Sequence, residues 1–388
     1  MRAMTNPVPR GARLSNPRIA VVGGGIAGVS IAYELAAEAQ VVLFEMEAQL
    51  AYHTTGRSAA KYLQSIGNPV VRTLTAASAV HFERFPRELE TPALLKPRAQ
   101  LWIADAEASP QLDALLEIGD PVQPLSISQA VELCPALRAE RLTGAALDVS
   151  GQEIDVMALH QGYVRGLLRR GGEICRGTPV VALQRARGGW VVQSSDGSLA
   201  ADAVVDAAGA WADRVAEMAG VQPAGIRPLR RTILTSSVHW PSPIHVWPFV
   251  SDCGQRFYFT AEHDQVLVSP ADETPDVPRD VRPAEEDIAR AIDIVNRFTT
   301  LGLRHVRTAW AGLRSFAADR SPVVGFRSGE PGFFWFAGQG GYGIQMAPAL
   351  ARAGAALLLH GQMPEDLEGR VEPSELCPDR LELPGDGL

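Results

Sequence analysis

Gly23, Gly25 and Gly28 stand in Gly-x-Gly-x-x-Gly spacing between a β-branched run, Arg18-Ile19-Ala20-Val21-Val22, and helix-forming residues from Val29 to Ala39. In that setting Gly23 permits a tight turn. Gly25, followed by Ile26 and Ala27, lets the backbone approach a pyrophosphate that caps the helix N-terminus. Gly28 lets helix and strand come close. Gln40-Val41-Val42-Leu43-Phe44-Glu45 reads as the next strand, with Met46 after it. Glu45, 17 positions beyond Gly28, can accept hydrogen bonds from ribose hydroxyls and would repel a 2′-phosphate. The alternative is a tight turn with no ligand. The turn alone leaves FAD and NAD open.

The elements around it decide more. Strand, glycine turn, helix and strand make one βαβ unit in under 30 residues. A polar loop follows, Tyr52-His53-Thr54-Thr55-Gly56-Arg57-Ser58-Ala59-Ala60, whose Thr, Ser and Gly suit a backbone that wraps something. Helices are expected over 70–85, from 126, over 157–170, 285–298 and 346–360. Strands are expected over 99–104, a hairpin over 179–193, and a buried strand over 203–211. Short alternating strands over 232–269 point to an antiparallel sheet, and a last strand, 332–337, runs into a second glycine turn, Gly338–Gly343. Val180 and Gly209 lie on strands that could close over the same dinucleotide. A cofactor touched along the whole chain suits extended FAD better than an exchangeable nicotinamide.

Composition narrows the class. The chain has 388 residues, 46% hydrophobic and 21% charged, with formal net charge −8. That excludes a disordered chain and lacks the footprint of a nucleic-acid binder. Cys134, Cys175, Cys253 and Cys377 form no CxxC pair, so neither zinc site nor disulfide framework is expected, and buried free thiols in a reducing cytoplasm are the plain reading. The first 18 residues carry Arg2, Arg10, Arg13 and Arg18 and no apolar run. The stretch Ile19–Ala37 is interrupted by glycines and Glu34, so no integral membrane segment and no export signal are expected. The expected location is the cytoplasm, free or peripheral to the inner membrane.

Taken together, the glycine turn, Glu45, the Tyr52–Ala60 loop, Val205-Asp206-Ala207-Ala208-Gly209-Ala210-Trp211, Trp310-Ala311-Gly312-Leu313-Arg314-Ser315-Phe316 and Gly338-Gln339-Gly340-Gly341-Tyr342-Gly343-Ile344-Gln345 resemble the FAD-dependent D-amino-acid oxidase superfamily. The closest likeness is to bacterial D-arginine dehydrogenase, over nearly the whole chain after residue 17. The resemblance implies an α/β fold: a Rossmann-like FAD-binding domain (18–98, 151–225 and 317–365) interleaved with an α+β substrate domain on an antiparallel sheet (99–150 and 226–316), with peripheral tails at 1–17 and 366–388. It implies oxidation of a D-amino acid by hydride transfer from Cα to flavin N5, giving an imino acid, then a 2-oxo acid and ammonia. Thr54, Thr55, Gly56, Arg57, Ser58, Ala59, Ala60 and Lys61 would run along the flavin, with Ala208, Gly209 and Trp211 beside it. Gly340, Gly343, Ile344 and Gln345 would meet the ring edge, and Gly341 and Tyr342 the substrate.

By the same likeness Arg314 holds the substrate carboxylate, Arg231 is a second site arginine and Tyr258 meets the carboxylate. Surface ion pairs and a core aromatic are the alternatives. The side-chain pocket departs from the D-arginine enzyme: an acid, a tyrosine and a histidine there become Gln100, Ile66 and Lys61, and Phe249, Ser251 and Gln255 differ too. Loss of the acid argues against arginine or lysine as substrate and for a neutral or acidic side chain. Lys61 is read first as a surface lysine and second as a partner for an acidic substrate. His53 matches residues that bind FAD covalently in some relatives, but non-covalent FAD is favoured. No metal is expected, and the electron acceptor, quinone or O2, stays open. So do oxidation of an N-alkyl amino acid or a 2-hydroxy acid, and a flavin-binding redox module without turnover.

Overall fold

The computed structural model describes residues 16–262 and 264–381. The expected tail 1–17 lies almost wholly outside the described residues, as does 382–388. The fold is mixed α/β, as expected from the alternating elements, and it is organised by two large sheets.

The first sheet has six strands in the order Val323–Phe326, Phe333–Ala337, Ala203–Asp206, Arg18–Val22, Gln40–Glu45, Glu173–Arg176. All neighbours are parallel except the first pair. These strands read as continuous Val, Ile, Phe and Trp because helices cover both faces. The helix Ile26–Leu35 packs on one face beside Gly343–His360. It begins directly after Gly25 and ends at Leu35, three residues earlier at its start and four at its end than the sequence pattern suggested. The expected strand 203–211 stops at Asp206. The buried Asp206 Oδ1 accepts the Ala208 N–H at 3.1 Å, and Gly209 takes φ +57° into a 3-10 turn, Gly209–Trp211. That local bond competes with the ladder and turns the chain.

The second sheet has ten strands, mostly antiparallel. Its main path runs Gln339–Gly340, Thr308–Phe316, Arg227–Ser237, Gln265–Ser269, Tyr258–Glu262, Phe249–Asp252, Gln100–Ala104, Gly144–Asp148, Val122–Leu125. Side chains alternate across it. One face carries Leu234, Val268, Phe259, Val250, Leu101 and Ala145 into a core shared with the helix Glu285–Phe298. That helix has Glu285, Glu286 and Asp287 in its first turn and Arg297 in its last, matching the helix dipole. The other face is the one that matters for chemistry. Smaller sheets, Val180–Ala201 and the three short strands at Lys61–Tyr62, Gln152–Ile154 and Leu95–Pro97, complete the fold.

The last residues are not peripheral throughout. Leu367, Val371 and Leu376 are fully buried against the first core, because three apolar side chains in an otherwise acidic, proline-rich stretch have core to cover. Among the described residues no helix is long and apolar enough to cross a membrane, and no cluster of His, Cys, Asp and Glu could hold a metal. All four cysteines are free; Cys134 and Cys253 are buried as expected, whereas Cys175 and Cys377 are only half-buried.

Candidate active site

A single space of about 1710 Å³, open mouth included, runs between the two sheets, from the glycine turn and Glu45 to Arg314 and Gly341. At its first end Gly23 has φ +111°, and a β-carbon there would stand 2.5 Å from the Ala207 carbonyl oxygen. A β-carbon on Gly28 would lie 1.7 Å from the Gly23 carbonyl oxygen, so Gly28 serves close packing and does not itself face the cavity. The helix N-terminus at Gly25 has no acid in its first turn and no cap from the N-cap residue; Thr55 Oγ1 accepts the Ile26 N–H at 3.0 Å. Glu45 is buried, with Oε2 accepting from Gly24 N at 2.6 Å and Oε1 from Glu47 N at 2.8 Å. Ile26, Ala27, Met46, Val180, Ala208, Gly209 and Trp211 line the same stretch.

The loop after Ala51 is stitched to the distant strand Thr308–Phe316. Thr54 Oγ1 donates to Leu313 O at 2.7 Å, and Arg57 Nη1 to Ala311 O at 2.9 Å. Arg57 Nη2 reaches Asp280 Oδ1 at 2.6 Å, so its charge is spent on the protein. Thr54, Thr55, Arg57, Ser58 and Ala59 line the cavity; Gly56, whose β-carbon would meet Ala51 O at 2.4 Å, and Ala60 do not. Gly340, Gly341, Gly343 and Ile344 line its far end. Gln345 turns away: its amide bonds Leu63 N, Leu63 O and Thr75 Oγ1, a structural task.

The far end is built on the free face of the ten-stranded sheet. The register Arg231↔Gly312 and Leu229↔Arg314 places Arg231 and Arg314 on one side, with Ile233 beyond. Arg231 is held: its Nε donates to Asp272 O at 2.8 Å and its Nη2 to Glu273 Oε1 at 3.2 Å. Glu273 also takes both nitrogens of Arg320, at 2.7 and 3.0 Å. Arg314 has no hydrogen-bond or ion-pair partner among the described residues, and it borders the cavity. Burial, with Arg231 adding to it, pushes its guanidinium down to about 10, still a cation at neutral pH. The Tyr258 hydroxyl is also buried and unpartnered.

Phe249, Ser251, Gln100 and Tyr258 extend the same face, in the register Phe249↔Gln100 and Ser251↔Tyr258, just outside the cavity wall. Ile66 packs against the apolar cluster that includes Leu63 and Trp102 and does not line the cavity. Tyr342 caps the helix Gly343–His360 and sits edge-on to Phe316, 6.2 Å between centroids. Lys61 is not a surface lysine. Its Nζ bonds Gln100 Oε1 and lies 4.0 Å from the Phe249 ring centroid, and burial pushes its amine well below the usual lysine range. Sequence reasoning missed the cavity residues Gly24, Pro179, Arg214, Met218 and Ile233. Only Gly24, inside the glycine run, carried a local signal.

FAD fits this space. A helix N-terminus with a glycine cradle and no acid in its first turn suits the pyrophosphate, the buried Glu45 ends the second strand where an acceptor for ribose hydroxyls is expected, and apolar walls suit the adenine and the ring. The family model "DAO: FAD dependent oxidoreductase" matches residues 18–357. The chain is 24% identical to mitochondrial dimethylglycine dehydrogenase of Mus musculus over 375 residues, 89% of this chain but 43% of that protein, so it spans under half of that relative. It is 26% identical to glycine oxidase of Geobacillus kaustophilus over 348 residues, 85% of this chain and 89% of that protein. The solved L-proline dehydrogenase from P. horikoshii superposes with TM-score 0.81 at 22% identity, covering 95% of this chain and 98% of that one, which shows a shared fold. The match of nearly the whole chain to one family model, on a fold with a dinucleotide turn at one end of its cavity, makes this protein a member of the DAO family of FAD-dependent oxidoreductases, with FAD as its cofactor.

Proposed function

We propose that the chain oxidises the Cα–N bond of an amino acid, in the D series by its resemblance to D-arginine dehydrogenase. The amino acid loses a hydride from Cα and a proton from nitrogen, and water hydrolyses the resulting imino acid to a 2-oxo acid and ammonia. When bound, FAD supplies the hydride acceptor. One observation carries the reading: Arg314 borders the cavity with no hydrogen-bond or ion-pair partner among the described residues. A buried guanidinium without a carboxylate is costly unless a ligand brings one. A substrate carboxylate would take two parallel hydrogen bonds from Arg314 and a third from the Tyr258 hydroxyl. Arg231, locked by Glu273 and Asp272, keeps the wall positive without competing for that carboxylate. Fixing the acid group fixes the direction of the Cα–H bond.

The likeness to dimethylglycine dehydrogenase supports a second reading, an N-alkyl amino acid, which needs the same carboxylate grip. The FAD is proposed to be held without a covalent bond. His53 Nε2 is 2.9 Å from Glu47 Oε1, and the ring packs on Trp211 with centroids 4.6 Å apart, which ties it into its loop. The test is anaerobic mixing with separate D- and L-amino acids and their N-methyl forms, watching flavin absorbance. Bleaching by one series supports the reading; a flavin that no amino acid bleaches overturns it in favour of a non-catalytic flavin module.

A further inference from the structure

The free face of the large sheet carries a second basic group beyond the carboxylate grip. Lys61 comes from the short strand Lys61–Tyr62 and lies over that face. Its Nζ is 4.0 Å from the centroid of Phe249 and 5.4 Å from that of Trp102. Phe249 in turn packs on Tyr258 at 5.5 Å, and Tyr258 leads to Arg231, whose Cζ is 6.0 Å from its ring. Phe249 and Tyr258 thus join Lys61 to Arg231, and Arg314 lies on the same face one strand over.

Among the described residues the Lys61 amine donates only to Gln100 Oε1. Gln100 is fully buried and aimed, because its Nε2 donates to Leu101 O at 2.9 Å. Asp148, paired with Gln100 in register, attracts the amine but forms no ion pair with it; its Oδ1 is taken by Ser150 N and Oγ at 2.9 and 2.6 Å. An ammonium has three donors and here satisfies one. Lys61 is half-buried and keeps some accessible surface.

Resting on the amino-acid reading above, we infer that Lys61, aimed by Gln100, selects substrates that carry a second carboxylate on the side chain, a dicarboxylic amino acid gripped at one end by Arg314 and at the other by Lys61. The phenyl and phenol faces between them would cover the short aliphatic stem of such a molecule. A monocarboxylic substrate would leave the amine unanswered.

The experiment compares aspartate- and glutamate-type amino acids with alanine- and norvaline-type ones, each enantiomer separately, on the FAD-loaded protein. Flavin spectral shifts are titrated in parallel with unreactive succinate and glutarate against propionate and butyrate. Wild type should favour the dicarboxylic members in both measurements. Lys61→Met should lower the ratio of acidic to neutral kcat/KM on the order of 100-fold, the loss expected for one buried charge-assisted contact. Lys61→Arg, which keeps the charge, should retain the preference. Should Lys61→Met not fold, Gln100→Met, which frees the amine from its aiming group, should lower the same ratio. A wild type that prefers neutral substrates, or a Lys61→Met ratio equal to wild type, overturns this inference and leaves the amino-acid reading standing. No bleaching by any amino acid, with no preference among the unreactive acids, overturns both.

Discussion

The guanidinium of Arg314 lies on the backbone of Gly341: a β-carbon on that glycine would stand 2.8 Å from Nη1 and 3.0 Å from Cζ. The atoms it would meet are the mobile end of a long side chain, so Gly341→Ala should fold normally and displace the guanidinium. The expected result is a KM for the amino acid raised about 10-fold with little change in Tm. A thermal melt beside steady-state kinetics checks it; unchanged KM would separate Gly341 from the carboxylate grip.

Arg314→Met should divide function from stability. Losing a buried charge-assisted clamp should lower kcat/KM on the order of 100-fold or more. The variant removes a cation that has no hydrogen-bond or ion-pair partner among the described residues, so its Tm should equal or exceed that of wild type. A lower Tm together with intact kinetics would place Arg314 in the scaffold.

Gly28→Ala has no such escape. Its β-carbon would fall 1.7 Å from the Gly23 carbonyl oxygen, a backbone atom of the cofactor turn. The helix Ile26–Leu35 must move, and the protein should lose about 3 kcal/mol or more and purify with little flavin. The ratio of flavin to protein absorbance measures this directly.

Asp206 gives a pH signature. Burial, outweighing the Ala208 N–H bond, holds its carboxyl well above the ordinary value, and Oδ2 has no partner. Below 3.8 folded and unfolded chains are both protonated and the group is neutral to stability. As pH rises past that value the unfolded chain releases the proton first, so stability falls until the folded carboxyl also ionises. Asp206→Asn should flatten that part of the Tm-against-pH curve; an unchanged slope would assign the pH dependence elsewhere.

Acid precipitation of the FAD-loaded protein should leave all flavin in the supernatant. Colour retained in the pellet, and lost from it in His53→Ala, would mean a covalent bond at that loop.

How far the sequence reached follows from the range of the forces involved. The strand Arg18–Val22, the turn at Gly23 and the helix after Gly25 were legible because β-branching and the absence of a β-carbon act within a few residues. The strand 203–211 was overrun because one buried side chain, Asp206, bonds its own backbone and ends the ladder. The two arginines could be picked out by their motifs, but Arg231 and Arg314 look alike in a sequence. Folding decides that Glu273 pairs with one, while the other makes no hydrogen bond or ion pair among the described residues. Lys61 fell outside local reasoning for the same cause: its surroundings come from Gln100, Trp102, Asp148 and Phe249, and only strand register brings those together. Backbone conformation is a short-range property that the chain carries everywhere with it. The charge state and the partners of a buried group are set by neighbours tens to hundreds of residues away, as with Thr54 and Leu313, and so exist only once the two sheets have closed around the cavity.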